Sequence, residues 1–284
     1  MLIFDNPSSM RAWSQAQRGI ERPAIGLVPT MGALHDGHLA LVDAAAQRCN
    51  LVVVSIFVNP LQFNQPDDFE SYPRPLDDDL ARCEKRGVAA IYAPTPDSMY
   101  PTGFETFVTP GSLGDPLEGV GRPGHFRGVT TVVAKLFNAV HPDVAVFGRK
   151  DFQQLVLIER MVRDLDMPIE IVGVDTVREA DGLAMSSRNR RLSPEQRTAA
   201  VVVPRALDAA TAAARLQPRP DPEALRRLAV AVVDAEPMAR LEYFEIVDPS
   251  TLREPKHDGG PLLAVTAIWF GNVRLIDNRS VVHI

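Results

Sequence analysis

Cysteine is nearly absent from this chain, with two in 284 residues. Cys49 and Cys83 lie in separate helical patterns, so they make neither a disulfide framework nor a metal cluster; both are expected as buried, reduced thiols. No stretch approaches the roughly 18 apolar residues that a membrane-spanning helix needs. The opening MLIFDNPSSMRAW has no basic start and no long apolar run, so no signal peptide is expected, and the expected location is cytoplasmic. A cationic surplus is missing too: 30 Lys and Arg stand against 36 Asp and Glu, a formal charge of -6. That balance argues against general nucleic-acid or membrane binding and leaves only local basic sites open. Nor is there a G-x-x-x-x-G-K-[ST] phosphate loop, so any nucleotide has to be held another way.

What is present is an ordinary globular composition, 45% apolar and 23% charged, in a chain long enough for two domains. Short β-branched runs at 24–29, 51–58, 143–148 and 169–177 alternate with helical patterns at 37–50, 76–87, 129–140 and 151–165. That alternation predicts βαβ units and an α/β, Rossmann-like, doubly wound parallel sheet. Ligands of such sheets bind beyond the strand C-termini, where the strand order reverses. From about residue 178 the texture changes to alanine-rich helices and antiparallel-type strands, with a turn expected at Gly271-Asn272. Ser193, Pro194 and Gln196 spell a capped helix start. Two domains are expected, 1–177 and a smaller α+β domain over 178–284.

Gly119, Gly121 and Gly124 spell G-x-G-x-x-G, but PGSLGDPLE before them cannot be the strand that a dinucleotide fingerprint requires. A glycine-rich surface loop is the better reading. The His35-Asp36-Gly37-His38 element is different, because it follows the first strong strand and opens a helix. A helix start offers free N–H groups and a positive dipole end to phosphate. Two imidazoles there can donate to phosphoryl oxygens as charge builds on a leaving group. Gly37 lets a nucleotide approach the backbone closely. Two partly exposed loop histidines are the alternative, and the strand–turn–helix context argues against it.

A second element is FGRKDFQQ, Phe147–Gln154. Gly148 ends a strand and Asp151 reads as the cap of the next helix. Lys150 then stands at a helix N-terminus, where a cation is electrostatically misplaced; an anionic ligand nearby would explain it, and a solvated lysine is the alternative. Gln154 belongs to the same region and suits a hydroxyl or carboxylate. The third is MSSRNRRLSPEQR, in which Ser186, Ser187 and Arg188 make a clamp for a polyphosphate on a loop at the domain joint. Arg190 and Arg191 read as solvated surface charges.

The histidine element, with a serine- and arginine-rich loop late in the fold, resembles the nucleotidyltransferase superfamily that includes class I aminoacyl-tRNA synthetases. More narrowly, PTMGALHDGH, SIFVNPLQF, YPR with DDD, GRPGHFRGV, VFGRKDFQQ and MSSRNRRLS occur in the order seen in the pantothenate synthetase (pantoate–β-alanine ligase) family, covering most of 24–195. The resemblance implies ligation of pantoate and β-alanine with ATP as substrate and Mg²⁺. Pantoate's carboxylate attacks the α-phosphorus to give pantoyl adenylate and pyrophosphate, and β-alanine's amine then displaces AMP. It implies that His35 and His38 stabilise the triphosphate, with Lys150, Ser186, Ser187 and Arg188 holding phosphates. Gly148, Asp151, Val177 and Met185 would line the adenosine site, with Met31 also against ATP; Gln62, Gln154 and the Met31 backbone would hold pantoate, with Arg122 on the pantoate and β-alanine side. Asp78 is the candidate for the metal, with Asp77 and Asp79 as alternatives. It also implies a homodimer, with the C-terminal domain as a lid over the site. An adenylyltransferase for a phosphate acceptor and a non-catalytic ATP sensor are the rival readings. The first should show a cationic acceptor pocket, where this sequence offers Gln62 and Gln154.

Overall fold

The computed structural model describes residues 1–19, 22–64, 69–256 and 259–282. Six parallel strands form the first sheet: β1 (Leu2–Phe4), β2 (Ile25–Thr30), β3 (Leu51–Ile56), β4 (Ala90–Tyr92), β5 (Val144–Gly148) and β6 (Glu170–Val174). Their spatial order is β1-β4-β3-β2-β5-β6. The main helices are α1 (Pro7–Gln17), α2 (Asp36–Ala46), α3 (Leu76–Glu84), α4 (His125–Val140) and α5 (Phe152–Asp164). Strands β2 and β3 are continuous apolar runs because helices cover both faces of a parallel sheet. Helix α4 carries Val129, Thr130, Thr131, Val132 and Val133 in a row, yet it is buried along most of its length. Packing overrides the weak helix propensity of β-branched residues there.

The strand order reverses between β2 and β5. From β2 the chain proceeds to β3, and β5 then returns to the other side of β2. Pairing of β2 with β5 is confined to Gly26–Val144 and Leu27–Ala145, so the C-terminal halves of these two strands diverge. Pro29, which has no N–H to donate, lies in that diverging half of β2. A crevice therefore opens at the strand ends that lead into residues 31–38 and into Gly148.

A second, antiparallel sheet holds β7 (Ala239–Val247), β8 (Leu262–Phe270) and β9 (Val273–Val282), with the β8–β9 turn at Gly271-Asn272. Helices α6 (Pro194–Ala199), α7 (Val202–Arg215) and α8 (Pro222–Asp234) pack on it around Leu207, Phe244, Ile268 and Phe270. The capping box is present at Ser193 and Gln196. One long helix after Ser193 is expected from the sequence, but two form. A continuous helix would put Pro204 in its interior against the carbonyl of Ala200; the break at Ala200-Val201 puts Pro204 in a first turn, where proline is tolerated. By internal contacts the chain divides into Met1–Arg149 with Gln153–Asp175, and Lys150–Phe152 with Thr176–Ile284. Lys150 thus belongs with the C-terminal unit, whereas the expected boundary after residue 177 puts it with the first.

Candidate active site

The turn after β2 is built around a buried carboxylate. Gly32 has φ +80°, and Ala33, at φ +51°, holds a left-handed conformation that costs a non-glycine residue roughly 1–2 kcal/mol. Asp79, on α3 and 1% exposed, offsets that cost: its Oδ2 accepts the Ala33 N–H at 2.8 Å and its Oδ1 the Leu34 N–H at 2.7 Å. Thr30 closes the other side, donating to the Ser55 carbonyl at 2.7 Å and accepting the Gly32 N–H at 3.1 Å. Burial pushes the Asp79 carboxyl up, and the two N–H bonds pull against that shift.

This turn delivers His35 to the N-cap of α2 and His38 to its first turn. The rings lie 4.0 Å apart between centroids, tilted by 31°, and both residues are half-buried. The His35 N–H donates to His38 Nδ1 at 3.3 Å. With Nδ1 accepting, the His38 proton is on Nε2, which makes that atom a donor for an anion. The His38 and Leu39 N–H groups already donate to the His35 carbonyl at 2.8 and 3.1 Å, so the positive end of α2 is presented through the N–H groups of Asp36 and Gly37 ahead of them.

Beside it, Met31 and Gln62 meet. Gln62 is 9% exposed; its Nε2 contacts Met31 Sδ at 2.9 Å and its Oε1 accepts from Asn59 Nδ2 at 3.0 Å. Arg122 lies behind this pair, donating to the Gln62 carbonyl at 3.1 Å and contacting His125 Nε2 at 3.2 Å. His125 Nδ1 lies 2.8 Å from the same carbonyl, so Nδ1 carries the proton and Nε2 accepts from Arg122. Arg122 supports Gln62 through its backbone. Gln154 is half-buried on the first turn of α5. Its neighbour Gln153 is buried, donating to the carbonyls of Leu113 and Pro116 and accepting the Glu118 N–H, and so ties down the segment before the glycine-rich loop. Where a glycine-rich surface loop is expected, Gly119 and Gly121 lie in a short helix over Glu118–Gly121, and Gly124, in the left-handed region at φ +79°, is the N-cap of α4.

After β5 the backbone turns helical at Arg149, in a 3-10 turn over Arg149–Asp151 that runs into α5. Asp151 is therefore inside the helical run and is not its cap, because the helix starts earlier than expected. Asp151 is exposed and lies 3.9 Å from Lys150 Nζ. In the C-terminal unit, Val177 and Met185 face each other, the Met185 N–H donating to the Val177 carbonyl at 2.9 Å. Ser186 then caps a 3-10 turn over Ser187–Arg191, accepting the Arg188 N–H at 3.2 Å. Asn189 ties this turn to Glu179, which with Asp181 also holds Arg197. Arg190 and Arg191 are exposed.

Asp78 is exposed on α3, and its alternative Asp79 is engaged by the turn. Among the described residues no group of three His, Cys, Asp or Glu could hold a metal. Mg²⁺ in nucleotide sites is commonly bound through one or two carboxylates together with substrate phosphates and water, and an exposed carboxylate such as Asp78 is of the type that can serve there.

A diverging switch point, with paired histidines at a helix N-terminus beside a buried glutamine, places the chain in the class of doubly wound α/β proteins whose ligands bind beyond the strand C-termini. The family model for pantoate-beta-alanine ligase matches residues 2–280. A pantothenate synthetase of Heliobacterium modesticaldum is 50% identical, covering 99% of both chains. Pantothenate synthetase 1 of Bradyrhizobium diazoefficiens is 52% identical over 89% of each. Among solved structures, pantothenate synthetase from Thermus thermophilus superposes with a TM-score of 0.93 at 45% identity, covering 100% of both chains. The Francisella tularensis pantoate-beta-alanine ligase, described as complexed with beta-gamma ATP and beta-alanine, gives 0.81 at 33% identity over 99% of this chain and 98% of its own. The chain belongs to the pantoate–β-alanine ligase family, and it is an ATP-dependent ligase of pantoate and β-alanine.

Proposed function

We propose that the reaction runs through pantoyl adenylate on the crevice at the ends of β2 and β5. The carrying observation is the His35–His38 pair at the start of α2, with the His38 proton on Nε2. In this reading Met31 and Gln62 hold pantoate, with Gln154 as a further contact and Arg122 as support. The pantoate carboxylate attacks the α-phosphorus of ATP. His35 and His38 donate to phosphate oxygens as charge moves onto pyrophosphate, a task for prearranged donors. Lys150, Ser186, Ser187 and Arg188 hold the remaining phosphates, and Gly148, Asp151, Val177 and Met185 line adenosine. The amine of β-alanine then attacks the acyl carbon and AMP leaves; no covalent enzyme nucleophile is needed, so positioning carries the second step. Mg²⁺ enters as the partner of ATP's phosphates, with Asp78 the candidate side chain. The family resemblance supports a cytoplasmic homodimer. Among the described residues no helix is long and apolar enough to cross a membrane.

The test is pantoate-dependent exchange of labelled pyrophosphate into ATP with β-alanine absent. Exchange is expected with the wild type. In folded His38→Ala or Lys150→Ala it should fall by about 10²-fold or more, the scale of a lost charge-stabilising donor. Near-normal exchange in either variant would remove that residue from the mechanism. ATP binding without exchange would favour a sensor.

A further inference from the structure

We infer that Asn278, on β9, is a positioning residue that sets Lys150 against ATP. It acts as the end of a buried Arg178–Asp277–Asn278 cluster that also anchors the hairpin leading into Ser186–Arg188. The inference rests on the proposed contact of Lys150 with phosphate.

Successive residues of a strand point to opposite faces, so two neighbouring buried polar side chains on one strand need a reason. Asp277 is 3% exposed and Asn278 9%. Asp277 takes Arg178 in a two-pronged pair at 2.7 and 3.0 Å, and its Oδ1 also accepts the Asn278 N–H at 2.8 Å. Arg178 continues to the Gly182 carbonyl at 3.0 Å and the Asn278 carbonyl at 3.3 Å. Arg178 and Ala184 form the bridge of the hairpin that runs on to Met185 and Ser186. Asn278 Nδ2 donates to the Lys150 carbonyl at 2.8 Å, across 128 residues of sequence.

The cluster therefore ties two phosphate-holding segments into one body, consistent with Lys150–Phe152 belonging to the C-terminal unit. Burial pushes the Asp277 carboxyl up, while Arg178 and, more weakly, the Lys150 charge pull it down. An apolar side chain at 278 could fill the space but would leave the Lys150 carbonyl without this donor, and the turn carrying the ammonium free to shift. Misplacement of a positioned group by about 1 Å is enough to cost of order 10²-fold in rate.

The experiment is a double-mutant cycle on the full chain, with Asn278→Ala, Lys150→Ala and the two combined. Binding of a non-hydrolysable ATP analogue is read by calorimetry and pantoate-dependent exchange by label. Asn278→Ala should weaken the analogue by about fivefold, the size of one lost hydrogen bond. It should also lower exchange kcat while leaving the pantoate KM within about twofold. In the Lys150→Ala background the same change should weaken binding by less than about 1.5-fold, since residues acting through one another are not additive. Equal losses in both backgrounds would mean a merely structural asparagine and would overturn the inference, as would wild-type binding by Asn278→Ala. Should that variant melt too low to assay, Asn278→Ser, which keeps a polar side chain too short to reach, carries the comparison. If Lys150→Ala alone binds as tightly as wild type, the phosphate role of Lys150 fails and the inference falls with it; that outcome is read from the single variant and is distinct from the others.

Discussion

Asp79 concentrates at one residue what the histidine element needs. Its two oxygens hold the Ala33 and Leu34 N–H groups and so keep Ala33 at a positive φ. Asp79→Asn would point an amide N–H₂ at one of those N–H groups, and the mismatch should cost about 1–3 kcal/mol of stability. Exchange should fall further than melting alone predicts, because the turn aims His35 and His38. The pH dependence follows from the raised Asp79 carboxyl, raised first by burial. As pH falls, Asp79 takes up a proton at a higher pH than an ordinary aspartate and one acceptor oxygen is lost. The acid limb of exchange should therefore begin above the usual aspartate range and be missing from Asp79→Asn. For stability the sign is opposite: a carboxyl raised by folding contributes most below its unfolded pKa, and that contribution is lost as pH rises through the folded value. Parallel pH–rate and pH–melting curves of the two proteins check both signs; an unchanged acid limb in the variant would clear Asp79 of the role.

Among the elements, α4 and the 3-10 turn at Pro60–Gln62 depend on one close approach. A Cβ at Gly128 would collide with the Leu61 carbonyl oxygen, and Asn59 Nδ2 donates to the Gly128 carbonyl at 3.1 Å. Gly128→Ala should push α4 off this turn, costing roughly 1–3 kcal/mol of overpacking. By moving Gln62 it should raise the pantoate KM more than the ATP KM, which steady-state kinetics at fixed co-substrate would read; a shift in ATP KM alone would place the damage elsewhere. Elements of this kind differ in how far the sequence announces them. The apolar runs of β2, β3 and β5 and the helical spacing of α2 and α5 are local patterns, readable from the order of residues alone. Pro204 is visible too, but an alanine-rich stretch reads as one helix unless the proline's missing N–H is allowed to break it. His35 and His38 are legible because they lie three residues apart beside a strand and a helix start. Asp79 with Leu34, His125 with Gln62, and Asn278 with Lys150 pair across 45, 63 and 128 residues. A single sequence carries no local trace of such partners, so Asp79 reads as a metal candidate and the other two supports give no signal.

For the molecule as a whole, the net charge of -6 sets a constraint, since ATP and pantoate are both anions. Attraction has to come from placed groups and not from a general positive field, so binding energy is concentrated in ordered structure and ligands should stabilise the fold. The two thiols report on this. Cys83 is fully buried, and its burial, with the charge of Asp79 beside it, pushes the thiol up to about 11. Cys49 is also buried and raised, first by desolvation and then by Asp143. Near pH 8 the folded Cys83 would be thiolate in only about one molecule in a thousand, and the sulfur is out of a reagent's reach, so labelling has to wait for opening. Ligands that bind only the closed protein reduce the open population by about 1 + [L]/Kd. With ATP and pantoate each near 100 times Kd, labelling of Cys83 by an aromatic disulfide should slow by about 100-fold or more. Asp79→Asn, which loosens the turn joining α3 to the histidine loop, should raise the unliganded rate and leave the ligand-induced slowing smaller. Labelling that ignores both ligands would mean that Cys83 is exposed by a local fluctuation uncoupled from the site, and the buried carboxylate and its turn would then not be linked to the bound nucleotide.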